Sequence, residues 1–191
     1  MNARWIAVAL LAAVPAVQAE VEVYSAPLTP EVSGATGSGN VTVTYDSLAQ
    51  TLKIDSSFSG LSGTTTVAHV HCCVAVAGTG AVGVAVTPGT LPGFPVGVSS
   101  GTYGVTLDLT IPATFTAGFI NNFGGGTIAG GEAALVAGLD AGKAYFNVHT
   151  DKFPGGEIRG FLVPVPEPSS YALMALGLLA VGSLARRRAG G

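Results

Sequence analysis

The sequence is poor in charged residues and in long apolar runs, and each shortage excludes a class of protein. Only 10% of the 191 residues are charged, with eight Lys and Arg against eleven Asp and Glu. The chain therefore lacks the basic surface of a nucleic-acid binder, and we expect no nucleic-acid partner. Long apolar runs occur only at the two ends, which excludes a polytopic membrane protein. A hydrophobic content of 48% also excludes a disordered acidic chain.

Glycine, in contrast, is abundant. The chain holds 28 glycines, about twice the usual share. This composition favours one small, turn-rich β domain between two removable ends.

Residues 1–19 have the pattern of a secretory signal peptide. Arg4 precedes the unbroken apolar run Trp5 to Val14, and Val17-Gln18-Ala19 places small or compact residues where a signal peptidase cleaves. We predict cleavage after Ala19 and an exported protein.

Residues 164–191 form a second targeting segment. A proline-rich motif at 165–169 precedes an apolar run at 171–185, and a basic tail with three arginines follows at 186–191. Fifteen residues make a helix of about 22 Å, short for a bilayer core of about 30 Å, but flanking residues and snorkelling arginines make a transmembrane helix feasible. The arginines should stay cytoplasmic, which leaves the domain outside the inner membrane.

This segment closely resembles the PEP-CTERM sorting signal of Gram-negative bacteria. Pro166, Glu167 and Pro168 supply the motif, and the short helix and basic tail follow in the same order. The resemblance implies a transient inner-membrane anchor, processing by an exosortase-type protease, and release to the cell surface or extracellular matrix. It also implies an association with exopolysaccharide.

The segment between the two ends is acidic and has the sequence pattern of β-strands. From residue 20 to 167 there are four basic and eleven acidic side chains, a net charge of −7. Period-two alternation and Gly/Pro turns predict an all-β sandwich or barrel, with an N-terminal strand and linker at 20–40 and the main domain at 41–163. The predicted strands include 41–45, 51–55, 67–71, 82–86, 103–109, 144–150 and 157–163, with short connecting helices at 112–122 and 132–139.

All three histidines lie on predicted strands. His69 and His71 leave the same face of one strand, with Cα atoms about 6.6 Å apart, and His149 shares the outward face of another strand with Tyr145 and Asn147. If the two strands are close, three imidazoles can meet outside the barrel and hold copper, zinc, iron or nickel. The alternative is three ordinary polar-face histidines. Since binding needs neutral rings, affinity should fall below about pH 6.5.

Cys72 and Cys73 directly follow the first histidine pair. An exported protein meets an oxidising compartment, so the two thiols could form a vicinal disulfide. Alternatively, Cys73 could lie on the histidine face as a soft ligand that favours copper(I) or zinc, or both could be small buried thiols. We favour the disulfide.

The segment Pro154-Gly155-Gly156 predicts a tight turn before the last strand. Glu157 and Arg159 should leave that strand on one face, where they could form an ion pair. Alternatively, Arg159 could offer positive charge to an anionic ligand.

Two motifs together resemble the CHRD domain, named after chordin. They are Ala68-His69-Val70-His71 and Asn147-Val148-His149-Thr150 followed by Phe153 to Gly160. The resemblance covers about residues 41–162. Members usually carry glycine after the second histidine, where this chain has Cys72-Cys73.

The layout is also similar, more distantly, to copper/zinc superoxide dismutase, which implies a Greek-key-like β-sandwich or barrel. By this likeness His69, His71 and His149 match three copper ligands, and Arg159 matches an arginine that supports the site from outside the ligand set. No histidine lies between residues 72 and 148, so the likeness implies one copper ion without a zinc partner.

These observations support two hypotheses. The first is an exported protein that binds one copper ion, or zinc in its place; if it is an enzyme, its activity would be superoxide dismutase-like copper redox chemistry. The alternative is a non-catalytic matrix or adhesion module associated with exopolysaccharide.

Overall fold

The computed structural model describes residues 21–166 and 174–179. The predicted signal peptide, residues 167–169 of the sorting motif and the basic tail lie outside the described residues. Of the predicted transmembrane helix, only 174–179 are described, and they are helical and exposed. Among the described residues, no helix is both long enough and apolar enough to cross a membrane.

The described domain is built on one curled antiparallel sheet. Its path runs β5-β4-β7-β8-β1-β2-β3-β6, and β9 pairs with β1 beside that path. This confirms the predicted all-β fold. The strands are β1 (Val21–Pro30), β2 (Ser38–Asp46), β3 (Thr51–Ser59), β4 (Thr65–His71), β5 (Val84–Val86), β6 (Gly101–Asp108), β7 (Tyr145–Thr150), β8 (Ile158–Phe161) and β9 (Val163–Pro164).

The sheet has two halves that share strand β1. We call β1-β2-β3-β6 the open half and β5-β4-β7-β8 the covered half. Strand β1 pairs with β2 from Val21 to Leu28, and its last residues, Thr29 and Pro30, pair with β8. Strand β1, which lies in the segment assigned from sequence to a strand and linker, therefore connects the halves. Side chains from both halves pack in one hydrophobic core.

The open half follows the alternation read from its sequence. In β2, Val41, Val43 and Tyr45 are buried while the residues between them are partly exposed, and β3 alternates in the same way. The register places Val43 opposite Ile54, so the buried side chains of neighbouring strands meet on one face. Such cross-strand pairs are the unit that stabilises a sheet.

The two predicted helical regions exist with different boundaries. The first is divided into a 3-10 helix (Pro112–Thr114) and α1 (Ala117–Phe123). The division occurs because Phe115 bridges to Val86 and the Thr116 amide donates to the Ala85 carbonyl, which keeps these two residues extended along the edge of β5. The second helix, α2, is longer than predicted (Ile128–Asp140), because Thr127 caps its N-terminus by accepting from the Gly130 amide.

Candidate metal centre

Strands β4 and β7 bring the three histidines together. In their antiparallel register His69 lies opposite Asn147, His71 opposite Tyr145, and Val67 opposite His149. All three imidazoles therefore project from one face of the covered half, while Ala68, Val70, Phe146 and Val148 project from the other face into the core. The faces are those that the spacing predicts.

The cluster does not lie on the exterior of the protein, where the sequence analysis placed it. His69, His71 and His149 are only 8%, 8% and 9% exposed. Three loops fold over the polar face of the covered half, namely the β4–β5 loop, the loop that follows β5 and the β7–β8 loop. Period-two spacing gives the face on which a side chain lies, but it carries no information about a loop that covers that face.

Each histidine uses one ring nitrogen to contact a backbone carbonyl of these loops. His71 Nδ1 lies 2.8 Å from the Val82 carbonyl, His149 Nδ1 lies 2.8 Å from the Pro154 carbonyl, and His69 Nε2 contacts the Gly89 carbonyl. A carbonyl can only accept, so each of these ring nitrogens carries the proton. In a neutral imidazole the other nitrogen is then an unprotonated acceptor. The tautomers are therefore fixed by the loop backbone.

The remaining ring nitrogens face one another. His69 Nδ1 lies 3.3 Å from His149 Nε2, and His71 Nε2 is buried with no hydrogen-bond partner. One nitrogen from each ring lies within 4.8 Å of one nitrogen from each of the others. Leaving three buried lone pairs unsatisfied is costly, and a cation would satisfy all three. The donor set therefore fits a metal ion, since a metal-binding histidine usually donates the N–H of its other ring nitrogen to a carbonyl or carboxylate.

Burial favours the neutral form of two of the rings. It lowers the pKa of His71 to about 4, although the Val82 carbonyl opposes this effect. Burial also lowers the pKa of His69, against the opposing effect of the Gly89 carbonyl. Neutral rings are the form that binds metal. For these two histidines, proton competition should thus begin below the pH of about 6.5 expected from the sequence, and for His71 nearer pH 4.

Ring contacts continue from the cluster across β7 to β8, where the Tyr145 ring is tilted by 57° against that of Phe161. The Tyr145 ring is parallel to that of His71, with centroids 4.6 Å apart and 5° between planes. The Arg159 guanidinium lies over both Tyr145 and Phe161, at 5.2 and 5.3 Å from the ring centroids. Tyr145 pairs with His71 on one side and with Phe161 on the other. Arg159 therefore lies one ring away from the histidines, not beside them.

Arg159 forms its ion pair with Glu31 rather than with Glu157. Arg159 Nη1 lies 3.0 Å from Glu31 Oε1 and also donates to the Gly80 carbonyl at 3.0 Å. The second oxygen of Glu31 accepts from Asn147 Nδ2 at 2.7 Å. Gly156 has a φ of 129°, and a Cβ there would clash with both Glu31 and Asn147. The predicted glycine turn thus makes room for this polar network.

Glu157 instead has a role that the sequence analysis missed. It is fully buried and accepts hydrogen bonds from the Ser62 amide and hydroxyl (2.5 and 2.6 Å), the Thr150 hydroxyl (2.7 Å) and the Gly63 amide (3.2 Å). Burial tends to raise the pKa of Glu157, but these hydrogen bonds outweigh it and lower the pKa to about 2. The carboxylate therefore connects the β3–β4 loop to the end of β7. Thr150 is seven residues away in the chain, but Ser62 and Gly63 are more than 90 residues away and share no motif with Glu157.

The cysteines lie on the opposite side of β4 from the cluster. Cys72 and Cys73 are joined by a disulfide, and Cys73 Sγ lies 3.5 Å from the Ala134 carbonyl on α2. A Cβ at Gly138 of the same helix would clash with both sulfur atoms. The structure therefore packs the disulfide against α2 and does not bring Cys73 Sγ to the histidines.

Comparison with known proteins adds two matches. Residues 18–162 match the family model of the CHRD domain, and residues 164–189 match that of the PEP-CTERM protein-sorting motif. The resemblances to the CHRD domain and to the PEP-CTERM sorting signal are thereby confirmed. No curated protein and no solved structure matches the chain.

Proposed function

This chain belongs to the CHRD domain family, and we propose that it binds one copper ion through His69, His71 and His149. The PEP-CTERM motif makes it an exported, surface-sorted protein that an exosortase-type system processes. Processing by that system would release the domain to the cell surface or the extracellular matrix. There the bound metal would be exposed to oxidants and reductants of the surroundings.

The arrangement of the ring protons is the observation that carries this proposal. Three loop carbonyls hold three N–H groups on the far sides of the rings, so that three acceptor nitrogens converge in a buried space. A cluster of merely structural histidines would be expected to donate to one another. Here one nitrogen of His69 and one of His149 each contact a loop carbonyl, and the other nitrogens of the two rings lie 3.3 Å apart. With both rings neutral, these are two facing acceptors, which favours a cation between the rings.

The donor set also bears on the choice of metal. No carboxylate belongs to the cluster in the described part of the chain, which makes Mg²⁺ and Ca²⁺ poor candidates because both prefer oxygen ligands. Imidazole nitrogens suit copper and zinc, and copper(II) binds most tightly among the divalent first-row metals. Copper is therefore our first assignment and zinc the alternative. Three protein ligands would leave a coordination position for water or a small ligand.

Metal analysis of the exported protein tests the proposal. We expect about one copper per chain after dialysis, and loss of that copper in the variant His69→Ala/His71→Ala/His149→Ala. The single variant His149→Asn, which keeps a polar side chain, guards against simple unfolding and should weaken binding at least tenfold. Equal copper content in the triple variant and the native protein would refute the site. A competition titration with Zn²⁺ would decide between the two metals.

The alternative function is a matrix module that associates with exopolysaccharide without using the metal. The exposed face of the open half favours it, because that face is rich in hydroxyl and amide side chains, among them Asn40, Ser57, Thr102 and Thr106. Under this alternative the triple histidine variant would still sediment with purified exopolysaccharide. Substituting Thr102 and Thr106 would then reduce that association.

A further inference from the structure

We infer that Tyr145 is the positioning residue of the metal site, holding His71 in the orientation and tautomer that present its Nε2 to the ion. This inference deepens the proposed function and rests on it. Three observations carry it, namely the stacking of Tyr145 on His71, the Val82 carbonyl that both side chains contact, and the Arg159 guanidinium over the Tyr145 ring. None of them involves a metal ligand other than His71.

The ring stack fixes the plane of His71. The planes of the His71 and Tyr145 rings are nearly parallel, with 5° between them, and the ring centroids are 4.6 Å apart. This distance is within the range of favourable offset stacking. His69 and His149 contact His71 only at larger distances and angles, with centroids at 5.6 and 6.2 Å. Tyr145 therefore restrains rotation of His71 about its terminal torsion more closely than the other two rings of the cluster do.

The shared Val82 carbonyl fixes the proton on Nδ1 of His71. The Tyr145 hydroxyl lies 3.2 Å from the Val82 carbonyl and accepts from the Val82 amide at 3.3 Å. The same Val82 carbonyl accepts from His71 Nδ1 at 2.8 Å. One tyrosine thus stacks on the ligand and contacts the Val82 carbonyl that sets the ligand's tautomer. A displaced Val82 carbonyl would let the proton move to Nε2, which could then no longer bind a metal.

Arg159 holds Tyr145 from the other side. The Arg159 guanidinium lies over the Tyr145 and Phe161 rings, and an ion pair with Glu31 holds it there. Its Nη1 also donates to the Gly80 carbonyl, two residues before Val82 in the same loop. The side chain of Arg159 therefore acts on His71 through Tyr145 and through the loop, since the Tyr145 ring stands between them.

Two substitutions separate these contributions in the full-length protein. Tyr145→Phe keeps the stack and removes the hydroxyl, while Tyr145→Leu removes both. Tyr103 supplies a matched control, because it is also buried, but in the open half, packs on Phe94 at 5.2 Å and donates to the Pro92 carbonyl at 3.0 Å. We therefore compare Tyr103→Phe and Tyr103→Leu with the two Tyr145 variants.

The first measurement is copper binding. We expect Tyr145→Leu to weaken Cu²⁺ affinity by about 10- to 100-fold, the usual cost of losing a group that orients a histidine ligand, and to change the Cu²⁺ electron paramagnetic resonance spectrum. Tyr145→Phe should give a smaller change in the same direction, and the Tyr103 variants should leave both affinity and spectrum unchanged. A folded Tyr145→Leu protein with native affinity and spectrum would overturn the inference.

The second measurement is the tautomer of His71 in the metal-free protein, read from its ¹⁵N chemical shifts. The native protein should show the Nδ1–H form, and Tyr145→Phe should show a mixture of forms. If Tyr145→Leu fails to fold, Tyr145→Phe alone decides, and an unchanged tautomer there refutes the role of the hydroxyl. If the native protein binds no copper while the tautomer still depends on Tyr145, the proposed function fails and the orienting role of Tyr145 stands.

Discussion

The open and covered halves of the sheet use the same strand geometry for opposite purposes. In the open half one face packs in the core and the other meets solvent, as the alternating burial of β3 shows. In the covered half both faces are enclosed, and every residue of β7 is buried. Polar side chains that would be solvated in the open half are desolvated in the covered half. They must then find partners inside the protein.

Those partners are mainly backbone groups of the covering loops. Val82, Gly89 and Pro154 contribute carbonyls to the three histidines, and the Ser62 and Gly63 amides contribute donors to Glu157. A buried polar group without a partner costs about 1–3 kcal/mol, and more if it is charged. The covered half therefore depends on the loops, and the open half depends on apolar packing. Substitutions of matched residues in the two halves should reveal this difference.

The largest difference is expected for carboxylates. Glu157→Gln should lower the free energy of unfolding by about 3–5 kcal/mol, because it replaces a buried, multiply hydrogen-bonded charge and directs an amide group at the Ser62 and Gly63 amides. Asp55→Asn, at a 48% exposed side chain in the open half, should leave the denaturant midpoint unchanged. Equal effects of the two substitutions in urea unfolding would contradict the comparison.

The same carboxylate should make the native protein sensitive to acid. The pKa of Glu157 is about 2 in the folded chain, against an ordinary value of 4.5. Its contribution to stability is present above about pH 4.5 and is lost as the pH falls toward 2. Glu157→Gln should remove this part of the pH dependence.

The two halves also differ in how far the sequence predicts them. Val41, Val43 and Tyr45 alternate with polar residues, and the structure buries these three, because one face of that strand meets solvent. In the covered half, the spacing of His69, His71 and His149 correctly predicts a common face. Their burial could not be predicted, because the loop carbonyls that enclose them act through the backbone and leave no pattern in the sequence.

Long-range polar pairs are unpredictable for a related reason. Arg159 and Glu157 are two residues apart, yet they contact groups more than 75 residues away in the chain, Gly80 for the arginine and Ser62 for the carboxylate. Tyr145 was placed on the histidine face by its spacing, but its stacking on His71 follows from the register of β4 with β7. A single sequence does not contain that register.

A second difference concerns the pH dependence of the metal-free protein. The pKa of His71 is about 4 in the folded state and 6.5 in its ordinary state, so the unfolded chain binds more protons between these values. The free energy of unfolding should therefore fall by about 2–3 kcal/mol from pH 6.5 to 4. His71→Gln should flatten this part of the curve, measured by urea unfolding at each pH without metal. An unchanged slope in that variant would show that His71 is hydrated in the folded protein.

The smallest contrast compares two threonines on strands of the two halves. Thr150 is fully buried in β7 and donates to Glu157 Oε2 at 2.7 Å, whereas Thr106 is exposed on β6 opposite Lys53. Thr150→Ala should cost about 1.5–3 kcal/mol, the range for a hydrogen bond to a charged group. Thr106→Ala should cost at most about 0.5 kcal/mol, typical of a surface substitution. The difference between the two changes in unfolding free energy isolates the dependence of the covered half on its buried polar partners. If Thr106→Ala proved as costly as Thr150→Ala, loss of strand propensity alone would explain both effects, and the distinction between the halves would not hold at this level.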